Sequence, residues 1–281
     1  MKKEPKMSLR AQRNNPVAGI IKKEKNWIAT SRYALLAMTF AGASGIAFAN
    51  SGEPHHREVE WSFNGIFGTV DKQSAQRGFQ VYKEVCAACH SLNRIAFRNL
   101  ADIGFSDAEV KALAASYKIK DGPNDTGDMF ERDGVLADYI PSPFANEQAA
   151  GAGFAGKAPP DLSLIIKARH DGANYVYSLL TGYGQTPPTS HIVPDGLNYN
   201  PYFAGGNILM PAPLSDGQIS YEDGTKASVD QMSQDVTNFL QWAAEPEMEA
   251  RKQMGIKTLI YLAIFTAFMY VAKRNLWKKL H

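Results

Sequence analysis

Both cysteines of this chain stand in one run, Val85-Cys86-Ala87-Ala88-Cys89-His90, and the second is followed at once by a histidine. No other feature restricts the fold so tightly. Two thiols three residues apart share one helical turn and can each form a thioether to the same porphyrin. His90 then lies under the ring and offers a nitrogen to iron, so C-x-x-C-H reads as the attachment site of one covalently bound haem c. A thioredoxin-like C-x-x-C needs a βαβ setting, which the sequence does not show. A zinc site needs four ligands, usually in two pairs, and there is no second cysteine pair.

His90 alone leaves one iron position open, and an electron carrier fills it. Methionine sulfur is a common choice that raises the potential by stabilising ferrous iron. Of nine methionines, Met1, Met7 and Met38 fall in a leader, and Met254 and Met269 belong to a C-terminal apolar segment. Met232 sits on an apolar helical face, Met248 follows Pro246, and Met129 lies in an acidic loop. Met210 stands in Asn207-Ile208-Leu209-Met210-Pro211-Ala212-Pro213, where the prolines fix a stiff extended segment. Met210 is therefore the expected second ligand and His191 the best competing one. Arg169, with neighbouring Tyr175, is the candidate propionate partner, because a guanidinium matches a carboxylate geometrically.

Two apolar segments place the domain. A basic stretch ends at Arg32, an apolar run comes next, and Ala47-Phe48-Ala49 offers a small-residue cleavage site. This is the layout of an export signal cut after Ala49, and its basic part is unusually long. Thr258 to Ala272 is a run of 15 residues without a charge. Extended back to Gly255 it makes a helix of about 27 Å at ~1.5 Å per residue, roughly one hydrocarbon core. Lys273, Arg274, Lys278 and Lys279 come after it and mark the cytoplasmic side. The expected organisation is a signal over 1–49, an exported domain over 50–254, a membrane anchor over 255–272 and a basic tail over 273–281.

The formal charge of +2 hides an asymmetry. The two basic ends leave 16 basic and 26 acidic residues in 50–254, a net −10. Such a domain suits a basic partner and excludes nucleic acid; the plainer reading is that the charge keeps it soluble.

The apolar spacing of Ala75, Phe79, Tyr82 and Val85 predicts a helix from Ser74 to Cys86, capped by Asp71 or Ser74. Gly78 beside that face would let a second helix approach closely. Ser106 caps a helix within 91–120. The acidic stretch 121–138 reads as a solvated loop, since its spacing is not that of an EF-hand. Asp161 is expected to cap a helix reaching Arg169 that Gly172 breaks, with a second helix over Asn174–Leu180. The prolines of 183–213 exclude a central strand. Ser228 and Gln231 form a capping-box pair at the head of a helix ending at Ala244.

Several runs together resemble the cytochrome c1 family. They are Gly78 through Leu92, Pro159-Pro160-Asp161-Leu162-Ser163, Arg169-His170, Leu179-Leu180-Thr181-Gly182-Tyr183, Tyr199-Asn200-Pro201-Tyr202-Phe203 and Phe239 through Glu247. The resemblance covers most of residues 61–280. It implies a mainly α protein, a cytochrome c fold with long loop insertions plus one C-terminal transmembrane helix. It implies a subunit of the ubiquinol–cytochrome c oxidoreductase of a bacterial cell membrane, beside cytochrome b and the Rieske iron-sulfur protein. Single electrons would pass from the Rieske centre to a soluble c-type cytochrome, with any enzyme activity belonging to the whole complex. Carried over by residue, Cys86 and Cys89 attach the haem, His90 and Met210 ligate iron, and Arg169 contacts a propionate. By analogy with c-type haem sites, a backbone carbonyl near Pro160 would hold the His90 ring N–H. Phe97 departs from the pattern, standing where many relatives have Tyr. The alternative within reach of the same motifs is a membrane-anchored cytochrome subunit of a periplasmic dehydrogenase.

Overall fold

The computed structural model of this protein describes residues 54–278, so the expected export signal lies outside the described residues. Helix α1 (Lys72–Glu84) starts where the Asp71 carboxylate accepts from the N–H groups of Gln73 and Ser74. It buries Ala75, Gly78, Phe79 and Tyr82 on one stripe. Single 3₁₀ segments lie at Cys86–Ala88 and Phe97–Ile103. Helix α2 (Asp107–Ala115) is closed by a Ser106–Glu109 capping box. Strands β1 (Lys118–Asp121) and β2 (Phe130–Asp133) pair antiparallel. Next come α3 (Glu147–Ala152), α4 (Gly172–Thr181), the two-residue strands β3 (Asn198–Tyr199) and β4 (Asn207–Ile208), α5 (Val229–Ala244) and α6 (Met248–Trp277).

The core forms where α1 crosses α5. A Cβ on Gly78 would lie 2.0 Å from the Asp235 carbonyl oxygen and 2.7 Å from Phe239 Cβ, so only glycine permits this approach. Around the crossing, Phe79 and Tyr82 pack on Phe239 with ring centroids 5.6 and 5.9 Å apart. Each such buried aromatic contributes roughly 1.5–3 kcal/mol of apolar burial. The Asp235 carboxylate is buried at the same crossing. It accepts from Arg77 at 2.9 and 3.0 Å and from the Ser74 hydroxyl at 2.8 Å, so the buried charge is paired and hydrogen-bonded.

Three local expectations change. The acidic stretch is not a plain loop: β1 and β2 make a hairpin whose Arg132 guanidinium pairs with both Asp121 and Asp138. No helix begins at Asp161; residues 162–171 are successive turns, and Gly172 opens α4 rather than ending a helix. The capping box of α5 is half formed: Ser228 accepts from the Gln231 N–H, while the Gln231 side chain donates to Asp235. The expected anchor is longer than 255–272. Helix α6 runs 30 residues, starts with Met248 in the core, and is the one helix among the described residues long and apolar enough to cross a membrane.

Candidate haem-binding site

The site begins where α1 ends. The Cys86 carbonyl accepts from the N–H groups of Cys89 at 3.1 Å and His90 at 2.8 Å. This tight turn holds the two cysteines and the histidine together at the end of a helix packed into the core. From within α1, the Tyr82 hydroxyl donates to the His90 carbonyl at 3.1 Å. Cys86 and Cys89 are both half-buried and free of any disulfide. Burial, and secondarily Cys89, push the Cys86 thiol up to about 12, so it is protonated at neutral pH. A structural metal would require thiolates, and among the described residues no His, Cys, Asp and Glu cluster could hold a metal ion.

His90 is fixed from its other side by a segment seventy residues away. Its Nδ1 lies 2.8 Å from the Pro160 carbonyl oxygen. A carbonyl only accepts, so Nδ1 carries the proton and Nε2 keeps a free lone pair. Burial lowers the imidazole pKa more than Pro160 and Asp161 raise it, so the ring is neutral at pH 7. The whole stretch is zipped in place. Leu162 N–H donates to the Ser91 carbonyl at 2.9 Å, and Arg94 N–H donates to the Ser163 hydroxyl at 3.1 Å. Asp161 accepts from the Ser91 hydroxyl at 2.8 Å and from the Asn93 N–H at 2.9 Å. Burial works against ionising Asp161, but bonds from Asn93, Ser163 and Ser91 outweigh it and hold its pKa below the ordinary range.

Met210 is half-buried, and its backbone is pinned. Its carbonyl accepts from the Tyr183 hydroxyl at 3.0 Å and from the Asn198 amide at 3.3 Å. Met232 and Met248 are buried in helix packing, and Met129, Met254 and Met269 are exposed. Among the described methionines, Met210 alone is neither core nor surface. The competing His191 is committed elsewhere: its Nε2 lies 2.9 Å from Asn207 Oδ1, and its ring packs on Tyr199. Arg169 is exposed, donates to the Ala168 carbonyl at 3.1 Å, and lies 5.9 Å above the Tyr175 ring. The structure thus places Arg169 with Tyr175.

The family model that matches is described as the Cytochrome C1 family, and it covers residues 61–280. The chain belongs to the cytochrome c1 family. Cytochrome c1 of Rhodospirillum rubrum is 48% identical over 83% of this chain and 92% of its own length. The Cytochrome b-c1 complex catalytic subunit of Candida albicans is 51% identical over 79% of this chain and 77% of its own. A Bradyrhizobium diazoefficiens protein called Cytochrome b/c1 is 48% identical over 95% of this chain, which spans only 42% of that longer protein. Cytochromes c1 are the haem-bearing electron-transfer subunits of the cytochrome bc1 complex, and the mainly helical domain with its long apolar C-terminal helix is the family architecture.

Within this cytochrome c1 fold, sequence reasoning missed the residues that position others. Tyr82 reads as core from its helical spacing, and Asp161 as a helix cap. Tyr183 and Asn198 carry no signal, because bonds to a backbone carbonyl leave no pattern in side-chain types. Phe97 is fully buried and packs against Tyr117 with centroids 5.3 Å apart.

Proposed function

We propose that this chain carries single electrons from a Rieske iron-sulfur protein to a soluble c-type cytochrome, as the cytochrome c1 subunit of a bacterial ubiquinol–cytochrome c oxidoreductase. The observation that carries the reading is His90. Placed directly after C-x-x-C and committed through Nδ1 to the Pro160 carbonyl, it presents Nε2 as a ready, neutral metal donor. The donor set fits a c-type haem: two free thiols on one turn, an oriented imidazole, and one half-buried methionine outside the core.

Cys86 and Cys89 hold the group by thioethers, His90 and Met210 supply the axial donors, and Arg169 faces a propionate. The haem iron supplies a one-electron couple whose potential the protein tunes. The residues themselves do three things. Pro160 keeps the His90 proton on Nδ1 and raises the basicity of Nε2. Tyr183 and Asn198 fix the Met210 backbone so that its sulfur has a constant reach. The apolar packing of α1 on α5 keeps water from the buried side of the Cys86–His90 turn.

Residues 1–49 act as the export signal, and α6 anchors the domain with its basic end, from Lys273, in the cytoplasm. The haem domain then lies in the periplasm. Cytochrome b is the expected neighbour, a placement supported by the name Cytochrome b/c1 carried by the Bradyrhizobium relative.

The test is a redox difference spectrum of the tagged protein, purified with its partners in mild detergent. A c-type band with stoichiometric b-type haem, both reducible by a quinol, is the expected result. A c-type band beside an organic-substrate dehydrogenase would move the protein to that class. Absence of covalent haem would overturn the reading from Cys86 onward.

A further inference from the structure

The loop from Trp61 to Thr69 is closed on itself and exposes its most apolar residues. Asn64 N–H donates to the Trp61 carbonyl at 3.0 Å, and Thr69 N–H donates to the Ser62 carbonyl at 3.0 Å. Gly68 lies so close to the opposite limb that a Cβ there would sit 2.0 Å from the Asn64 carbonyl oxygen. At the tip, Ile66 is 67% and Phe67 76% exposed, although Phe63 in the same loop is buried. A stiff loop that displays a large aromatic and a branched aliphatic side by side marks an interaction site.

The loop is fastened to α6, and the fastening sets its direction. Val70 N–H donates to the Glu249 carboxylate at 2.9 Å. One turn further along α6, the Lys252 ammonium donates to the carbonyls of Phe63 at 2.7 Å and Gly68 at 2.9 Å. Passing back from Val70 to Gly68, the chain therefore descends along α6 toward its uncharged run. Both limbs are gathered at Lys252, and Asn64 to Phe67 form the tip beyond them. Lys252 stands five residues before Lys257, about 7.5 Å along the axis at ~1.5 Å per residue. The polar interface of a bilayer is of that depth, roughly 5–8 Å on each side of the hydrocarbon.

We infer that Ile66 and Phe67 insert into the outer face of the bilayer beside α6, so that the domain rests on lipid at a second point. The inference rests on α6 spanning the membrane. Lipid fits better than a protein partner because the tip carries two apolar side chains and no charge. The Lys252 ammonium above it is consumed by backbone carbonyls rather than offered to an acidic surface. One helix leaves a domain free to rotate about and tilt on its axis; a second contact removes part of that freedom.

Site-directed spin labelling tests this in the whole complex reconstituted into lipid vesicles. With haem attached, Cys86 and Cys89 are consumed, so Phe67→Cys supplies the only reactive thiol of this subunit. Ile66→Cys is its duplicate. Ile192→Cys, at a residue 82% exposed in a loop, reports water, and Phe268→Cys, 71% exposed on α6, reports lipid. The expected result at position 67 or 66 is an oxygen-to-nickel-chelate accessibility ratio several-fold above that at 192. A ratio equal to that at 192 overturns the inference. A label shielded from both reagents overturns it too and assigns the tip to a protein neighbour. A water-like ratio at 268 would show that the anchor reading itself has failed, whereas lipid at 268 with water at 67 defeats this inference alone.

Discussion

Met210 is held by its backbone, not by its side chain, which is an effective way to fix a soft ligand on a flexible stem. Tyr183 and Asn198 grip its carbonyl, and Pro211 and Pro213 stiffen the chain on its C-terminal side. Met210→Ala is therefore expected to leave the fold intact and expose one axial position. The midpoint potential should fall by on the order of 0.1 V or more, within the ~0.8 V that axial ligands span. The ferrous protein should gain carbon monoxide binding, seen as a shifted Soret band. A wild-type protein that already binds carbon monoxide readily would remove Met210 from the ligand set. At this scale the sequence was most legible, because C-x-x-C-H and the proline-flanked methionine are chemical patterns with fixed spacing. The Pro160 carbonyl was reachable only by analogy. The grip of Tyr183 on residue 210 depends on a chain reversal of 27 residues that no local pattern records.

Among elements, the α1–α5 crossing and the β1–β2 hairpin carry separate predictions. Gly78→Ala gains up to about 1 kcal/mol of helix propensity but forces a backbone displacement at a 2.0 Å contact. Overpacking of this kind costs about 1–3 kcal/mol, more where backbone must move, so the variant should melt at a lower temperature by calorimetry. In the hairpin, bonds from Arg132 and then the Val135 N–H hold the Asp138 carboxyl down to about 2. Arg132 likewise lowers Asp121. The folded pKa of Asp138 lies below the unfolded value of ~3.9, so its contribution is complete above that value and lost as pH falls through about 2. Amide exchange in 118–133 should therefore accelerate between pH 4 and pH 2, and Arg132→Gln should abolish that step. The helices with an apolar stripe, α1 and α5, were legible within two residues of their ends. The hairpin was not, because Lys118-Ile119-Lys120-Asp121 is largely exposed and has no apolar alternation to read. The turns after Asp161 were misread for another reason: its carboxylate is claimed by Ser91 and Asn93 from far along the chain.

For the whole molecule, the net −10 of residues 50–254 should attract a basic electron acceptor. Raising ionic strength from 0.01 to 0.15 M shortens the Debye length from about 30 to about 8 Å. Stopped-flow electron transfer to a basic cytochrome is expected to slow by roughly 10-fold or more over that range. A rate indifferent to salt would leave the acidic charge as a matter of solubility only. The joining of the chain's two ends in one core has a further consequence, for the order of events during synthesis. Ser74 and Asp235 meet across 161 residues, and Asp235 precedes the uncharged run of α6 by little more than twenty. A chain exported from its N-terminus delivers Cys86 and Cys89 first, well before Pro160 can lock His90 or α5 can cover α1. Contacts this distant in sequence close late and slowly. The two thiols thus pass most of the domain's synthesis unpacked, within bonding distance of each other, and their chemical state then is set by the compartment's redox poise and not by the fold.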